Sequence, residues 1–169
     1  HADSYEKVIE AVHAVKFPPY GRRGWANITR GGMYGSFIKP AEFTIKWNEI
    51  STVHLMIEDK AGYEDIDRIL SIPEVDALTL GAADFACSYG LAGQFFLPEL
   101  IEKHQDIKKK TIAAGKVFCD KGYTLQEARQ QLESGTLALN VGADTTLLED
   151  SIARIMNQIK NELFPAFSK

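Results

Sequence analysis

HLMIED, residues 54–59, is a short apolar run that stops on two acids, and ALTLGAAD, residues 77–84, ends on a carboxylate in the same way. Extended to TVHLMI (52–57), the first run is β-branched and apolar and predicts a strand. DALTL (76–80) predicts a second. Between them GYEDIDRILS places Ile66, Ile69 and Leu70 on one helical face and is stopped by Pro73. Strand, helix, strand is the repeating unit of a parallel sheet.

Downstream the alternation continues. PELIEKHQDIKKKTIAAG (98–115) predicts a helix with Pro98 at its start and Gly115 past its end. KVFC (116–119) is a third strand, and TLQEARQQLESG (124–135) a helix that opens with a capping box, Thr124 and Glu127, and closes on Gly135. TLALNV (136–141) is a fourth strand. TTLLEDSIARIMNQIKNEL follows, with a second capping box at Thr146 and Glu149 and an apolar stripe of Leu148, Ile152, Ile155, Ile159 and Leu163. Upstream, DSYEKVIEAVHAV repeats apolar residues Tyr5, Val8, Ile9, Val12 and Val15 at helical spacing. KFPPYGRRGWAN (16–27) is loop, residues 28–40 are glycine-rich and irregular with aromatics at Tyr34 and Phe37, and PAEFTIKWNEI (40–50) is a short helix. Such alternation predicts a parallel sheet covered by helices. The near-continuous apolar strands suit burial on both faces. An open doubly wound sheet and part of a (β/α) barrel both satisfy it. The glycine pattern of a dinucleotide-binding turn is absent, which counts against the first.

Composition narrows the function classes. The chain has 169 residues, 45% hydrophobic and 25% charged, with a net charge of −4, and these values suit one globular domain spanning 1–169. No basic block stands out beyond Lys108–Lys110, which reads as a solvated helix face, so nucleic acid is not an expected partner. No apolar run reaches the roughly 18 residues a membrane span needs. HADSYEKVIE lacks the apolar core of a signal peptide. Cys87 and Cys119 form neither a disulfide framework nor a zinc pattern. A cytoplasmic setting is expected.

Parallel α/β folds place their sites at the C-terminal ends of strands. Glu58 ends the first strand and Asp84 lies just past the second. Two such carboxylates on neighbouring strands would repel and raise each other's pKa. A hard divalent cation resolves the conflict: Mg²⁺ or Mn²⁺ takes one or two protein carboxylates and leaves positions for water and substrate oxygens. A helix N-cap or a salt-bridge partner is the ordinary alternative for each acid. His54, Met56 and Glu58 share one strand face. His54 reads as a satisfied core histidine or as a neighbour of the metal ligands. Arg22 and Arg23 read as pins for the loop after the proline pair or as contacts for an anionic substrate, His13 and His104 as surface or packing residues, and Asp144 as an N-cap.

FPPYGRRG (17–24), IED (57–59), GAADFACSYGLAGQ (81–94), AAGK (113–116) and VGADTTLLEDSIARI (141–155) occur in an order and at spacings that resemble the HpcH/HpaI aldolase family. This is the 4-hydroxy-2-oxoheptanedioate aldolase group, related to citrate lyase β-type enzymes. The resemblance implies a (β/α)8 TIM barrel, of which this chain supplies the last four β/α units and a C-terminal helix. It implies a class II, divalent-metal-dependent lyase that joins or cleaves pyruvate, or a close 2-oxo acid, and an aldehyde through a metal-stabilised enolate. Glu58 and Asp84 match the metal-binding carboxylates, with Mg²⁺ or Mn²⁺ as cofactor. Ala83 matches the position whose backbone N–H meets the substrate carboxylate. A homo-oligomer, in the family commonly a hexamer with exchanged C-terminal helices, is expected as well.

Departures accompany the match. Met56 replaces the family's glutamine two residues before the metal glutamate, and Ala82, Phe85 and Ala86 replace Pro, Leu and Ser in the turn around Asp84. VFCDKGY places Asp120 and Lys121 near the site mouth, with Lys121 a candidate substrate contact. The family's acid–base residues belong to the barrel half that precedes the point matching His1. No catalytic acid or base is therefore expected in this chain, and an N-terminal half-barrel segment is an expected partner. A relative with other enolate chemistry, such as macrophomate synthase-like oxaloacetate decarboxylation with carbon–carbon bond formation, is the alternative enzyme. A non-catalytic homologue kept for assembly is the alternative of another class.

Overall fold

Helix and strand alternate along the chain in a computed structural model, which describes residues 1–26, 28–35 and 39–164. Phe37 lies outside the described residues. The elements are α1 (Tyr5–Val15), a 3-10 turn (Arg30–Gly35), α2 (Pro40–Ile50), β1 (His54–Ile57), α3 (Lys60–Glu64), α4 (Ile66–Leu70) and β2 (Ala77–Leu80). They continue with α5 (Ala82–Ser88), α6 (Pro98–Ala113), β3 (Val117–Lys121), α7 (Leu125–Glu133), β4 (Ala138–Asn140) and α8 (Asp144–Glu162). The strands form one four-stranded sheet in the order β1-β2-β3-β4. β1 pairs in parallel with β2, Ile57 opposite Leu80, and β2 pairs in parallel with β3, Leu78 opposite Phe118. Sequential strands are thus neighbours, as consecutive elements commonly are.

The chain divides into two compact units, His1–Asp120 with Gly135–Ala138, and Lys121–Ser134 with Leu139–Lys169. In the first, one sheet face packs on helices. Leu55, Ile57, Leu78 and Phe118 meet Ile66, Ile69 and Leu70 of α4, Phe85 of α5, and Leu100 and Ile107 of α6 in one apolar cluster. The opposite face differs from the expectation of burial on both sides. In β1 Leu55 and Ile57 are buried, whereas His54 and Met56 are exposed; next to them in β2 Ala77 is buried and Thr79 half-buried. His54 is therefore not a core histidine.

The loop after α1 is tied to α2. The buried Lys16 ammonium donates to the carbonyls of Asn48 (2.9 Å) and Ser51 (2.6 Å). Asn48 accepts from Phe17 N–H at 2.7 Å and donates back to its carbonyl at 3.0 Å. Arg23 lies 4.4 Å over the Trp47 ring, and Arg22 Nη2 is 2.9 Å from His13 Nδ1. Both arginines pin this segment, as the sequence predicts.

Several local readings change. The helix expected over 62–71 is two short ones, because Asp65 (φ −96°, ψ 9°) leaves the helical region and ends α3 as it begins α4. Its carboxylate is drawn off by the Tyr5 N–H, 2.6 Å away. α5 is a helix where only a turn is expected, and residues 30–35 form a 3-10 turn in place of irregular chain. The capping box of α7 is present in both directions. That of α8 is not: the helix opens at Asp144 after the extended Ala143, so Thr146 already lies inside it and Asp144 is not the cap. α8 buries none of its residues.

Candidate metal centre

β1 and β2 finish side by side, and the two acids leave from those ends. Glu58 directly follows Ile57, the last residue of β1, and Gly81 directly follows Leu80, the last of β2. Gly81 N–H donates to the Ile57 carbonyl at 2.8 Å, carrying the ladder one step beyond the strands. Glu58 consequently lies against Gly81. A Cβ built on Gly81 would stand 2.8 Å from Glu58 Cβ, 2.9 Å from Glu58 Oε2 and 3.0 Å from Met56 Sδ. Only a residue without a side chain leaves the Glu58 carboxylate room over the end of β2.

Asp84 sits in the first turn of α5 and is exposed. Gly81, the N-cap, gives no side-chain bond. The first helical bond runs from Phe85 N–H to the Gly81 carbonyl, 2.9 Å, so the N–H groups of Ala82, Ala83 and Asp84 precede the helical ladder. Ala83 is exposed. Asp84 has no hydrogen-bond or ion-pair partner among the described residues. Glu58 meets one side chain, His1, whose Nδ1 is 2.7 Å from Oε1. Neither acid pairs with a lysine or arginine among the described residues. Each of these carboxylates offers oxygen ligands and lacks a lysine or arginine partner among the described residues, which is the ligand type a hard divalent ion takes.

A ring of donors borders Glu58. His1 Nε2 lies 2.9 Å from Asp59 Oδ2 and 3.5 Å from Asp3 Oδ2. His1, Asp3 and Asp59 bring ligand atoms within 4.8 Å of one another. Each is already engaged, however. Asp59 Oδ1 accepts from Gly62 N–H at 2.7 Å and caps α3. Asp3 binds the Lys7 ammonium, which holds its carboxyl below the usual carboxylate range. The trio is therefore an ion-pair network beside Glu58.

Other sequence-predicted residues lie on β3 and α6. Lys121, the exposed last residue of β3, belongs to the second unit. Asp120 does not point to a mouth. It alternates with Cys119 along β3 and is 7% exposed, its Oδ2 lying 3.2 Å from His104 Nε2 and 3.7 Å from Lys108 Nζ of α6. Lys108 is correspondingly 6% exposed, so the Lys108–Lys110 run is not one solvated face. The buried carboxylate needs a counter-charge, and Lys108, one helical turn from His104, supplies it. Burial, and then the Asp120 carboxylate, push the Cys119 thiol up, while Cys87 is exposed. Sequence reasoning passes over His1 and Gly81, whose roles are through-space contacts. The one available hint is a glycine set immediately after an apolar strand.

Residues 1–151 match the family model described as HpcH/HpaI aldolase/citrate lyase. A 5-keto-4-deoxy-D-glucarate aldolase of Escherichia fergusonii is 27% identical over 158 residues, which cover 94% of this chain and 60% of that protein. An HpcH/HpaI aldolase of Desulfitobacterium hafniense superposes with a TM-score of 0.82 at 26% identity, over 95% of this chain and 61% of that one. Macrophomate synthase shares the fold, with a TM-score of 0.77 at 21% identity over 95% and 58%. The chain thus spans less than two thirds of the length of these relatives. A parallel β/α sheet and a family-model match over most of the chain lead to one assignment: this chain belongs to the HpcH/HpaI aldolase/citrate lyase family.

Proposed function

We propose that Glu58 and Asp84 hold Mg²⁺ or Mn²⁺, and that the chain forms the last four units and C-terminal helix of a (β/α)8 barrel. In this reading the whole protein makes or cleaves a 4-hydroxy-2-oxo acid, exchanging pyruvate or a close 2-oxo acid with an aldehyde. The observation that carries it is the seat of Glu58 on Gly81, which brings its Oε2 to the end of β2, the strand that leads into Asp84. A bound divalent cation supplies Lewis-acid polarisation of a 2-oxo group.

The chain's own residues do the rest. Glu58 and Asp84 contribute two negative charges that offset a doubly charged ion and leave its other positions to ligand oxygens. Ala83 offers an N–H ahead of the helical ladder, a donor suited to a carboxylate. No general acid or base is assigned to this chain; that role falls to a barrel half contributed by further chain or by another polypeptide. Lys121 is the candidate for a further substrate contact. The two relatives at 26–27% identity are named for aldolases, and this supports carbon–carbon lyase chemistry on a small 2-oxo acid. A cytoplasmic setting belongs to the same reading.

The decisive experiment is a crystal soaked with Mn²⁺ and pyruvate. Density for a cation shared by Glu58 and Asp84 is expected. A cation seated instead on His1, Asp3 and Asp59, or none at all, removes the reading. Met56 favours a second reading. Its Sδ lies against Gly81 and its side chain is 41% exposed, so a thioether stands where the family resemblance places an amide. Oxaloacetate decarboxylation without aldehyde turnover would select this alternative enolate chemistry.

A further inference from the structure

His1 stands between the candidate ligand and the helix cap behind it. Ala2 N–H donates to the Met56 carbonyl at 2.9 Å, so residues 1–3 start along the edge of β1. The Ala2 side chain is fully buried, and its carbonyl packs so closely on Gly62 that a Cβ there would stand 2.2 Å away. Tyr5 N–H then binds Asp65. With the backbone held at Ala2 and Tyr5, the His1 ring is carried to Glu58.

A carboxylate oxygen only accepts, so His1 Nδ1 donates to Glu58 Oε1 across 2.7 Å. The other ring nitrogen faces Asp59 Oδ2 at 2.9 Å, and Asp59 Oδ1 is held by the Gly62 N–H. A chain of contacts thus runs from the start of α3 through Asp59 and His1 to Glu58. Its effect on Glu58 is directional. Oε1 is occupied, and Oε2 is the oxygen over Gly81 at the end of β2.

We propose that His1 is a positioning residue that holds Glu58 Oε1, so that the carboxylate presents Oε2 alone to a divalent cation; this rests on the reading of Glu58 and Asp84 as metal ligands. Hydrogen-bonded partners of ligating groups fix their orientation, and their loss lowers metal affinity about 10–100-fold. Asp59 supports the ring from behind. Asp3, also facing Nε2, is shared with Lys7.

The test is Mn²⁺ affinity of the whole chain by electron paramagnetic resonance, without substrate. His1→Phe, which keeps a ring and removes the donor, is expected to weaken Mn²⁺ binding about 10–100-fold. His1→Gln, which keeps an N–H donor, is expected to stay near wild type, with both variants melting close to wild type in the absence of cation. Wild-type affinity in His1→Phe overturns the proposal while Asp84→Asn still abolishes binding. Equal losses in His1→Gln and His1→Phe overturn it too, since the donor is then not what matters. No binding by the wild type, or binding indifferent to Asp84→Asn, removes the metal reading itself, a result distinct from the other two.

Discussion

Gly81 is the smallest residue with a large consequence. Its φ of −81° is open to any residue, so a substitution there meets no backbone strain and acts through space alone. An alanine Cβ would press on Glu58 Cβ and Oε2 and on Met56 Sδ. Gly81→Ala is therefore expected to push Glu58 off the end of β2 and lower Mn²⁺ affinity about tenfold or more, with a fall in melting temperature as well, because Glu58 Cβ moves only with its backbone; calorimetric titration beside a thermal melt checks both. The two thiols give a second expectation. Cys119 is kept protonated first by burial and then by the Asp120 carboxylate, whereas Cys87 is exposed. At pH 8 iodoacetamide should alkylate Cys87 well before Cys119, read by peptide mass spectrometry. A raised folded-state pKa means that the contribution of Cys119 to stability is present below the ordinary thiol range and is lost as pH rises through the folded value. Glu58 and Asp84 stand out in the sequence because an acid at the end of an apolar run is conspicuous. His1 does not, since nothing local connects it to a residue far along the chain.

At the scale of elements, the same local pattern succeeds once and fails once. Thr124-x-x-Glu127 and Thr146-x-x-Glu149 are both capping-box spellings. Thr124 is extended (φ −122°, ψ 158°) and makes both reciprocal bonds. Before α8, Gly142 takes a φ of 136° and Ala143 is the extended residue, so the helix is under way before Thr146. The pattern specifies partners but not where the backbone turns, and that turn is set by the glycine. Thr124→Ala is expected to cost about 1 kcal/mol, seen as faster amide exchange in the first turn of α7. Gly62 gives the contrasting case. Alanine favours a helix interior by up to about 1 kcal/mol over glycine. Here its Cβ would lie 2.2 Å from the backbone carbonyl of Ala2, which cannot yield as a side chain can. Gly62→Ala should lower the melting temperature in spite of propensity. The burial of Asp120 under Lys108 and His104 was equally hidden, because alternation gives a side chain's face but not which face the helix covers.

Across the whole molecule, two apolar features remain open among the described residues. One is the sheet face carrying His54 and Met56. The other is the stripe of α8, where Leu148, Ile152, Ile155, Ile159 and Leu163 recur at helical spacing and none is buried. Each such side chain would gain roughly 1.5–3 kcal/mol on full burial, so a helix of this length repays a partner. The strand order was legible because parallel alternation leaves few topologies. The exposure of these faces was not, because a periodic pattern shows that a stripe exists and not what covers it. The homo-oligomer with exchanged C-terminal helices that the family resemblance implies would make the stripe of α8 an interface between copies. Light scattering coupled to size exclusion should then give a mass that is a multiple of 18.8 kDa. Ile152→Glu with Ile155→Glu places two charges in the centre of the stripe, where burial without partners would be costly. The double variant should run at the single-chain mass and keep its far-ultraviolet helical signal, since both positions are solvent-facing within one chain. A wild-type chain that runs as a monomer at every concentration, or a variant that assembles unchanged, would show that α8 does not join copies.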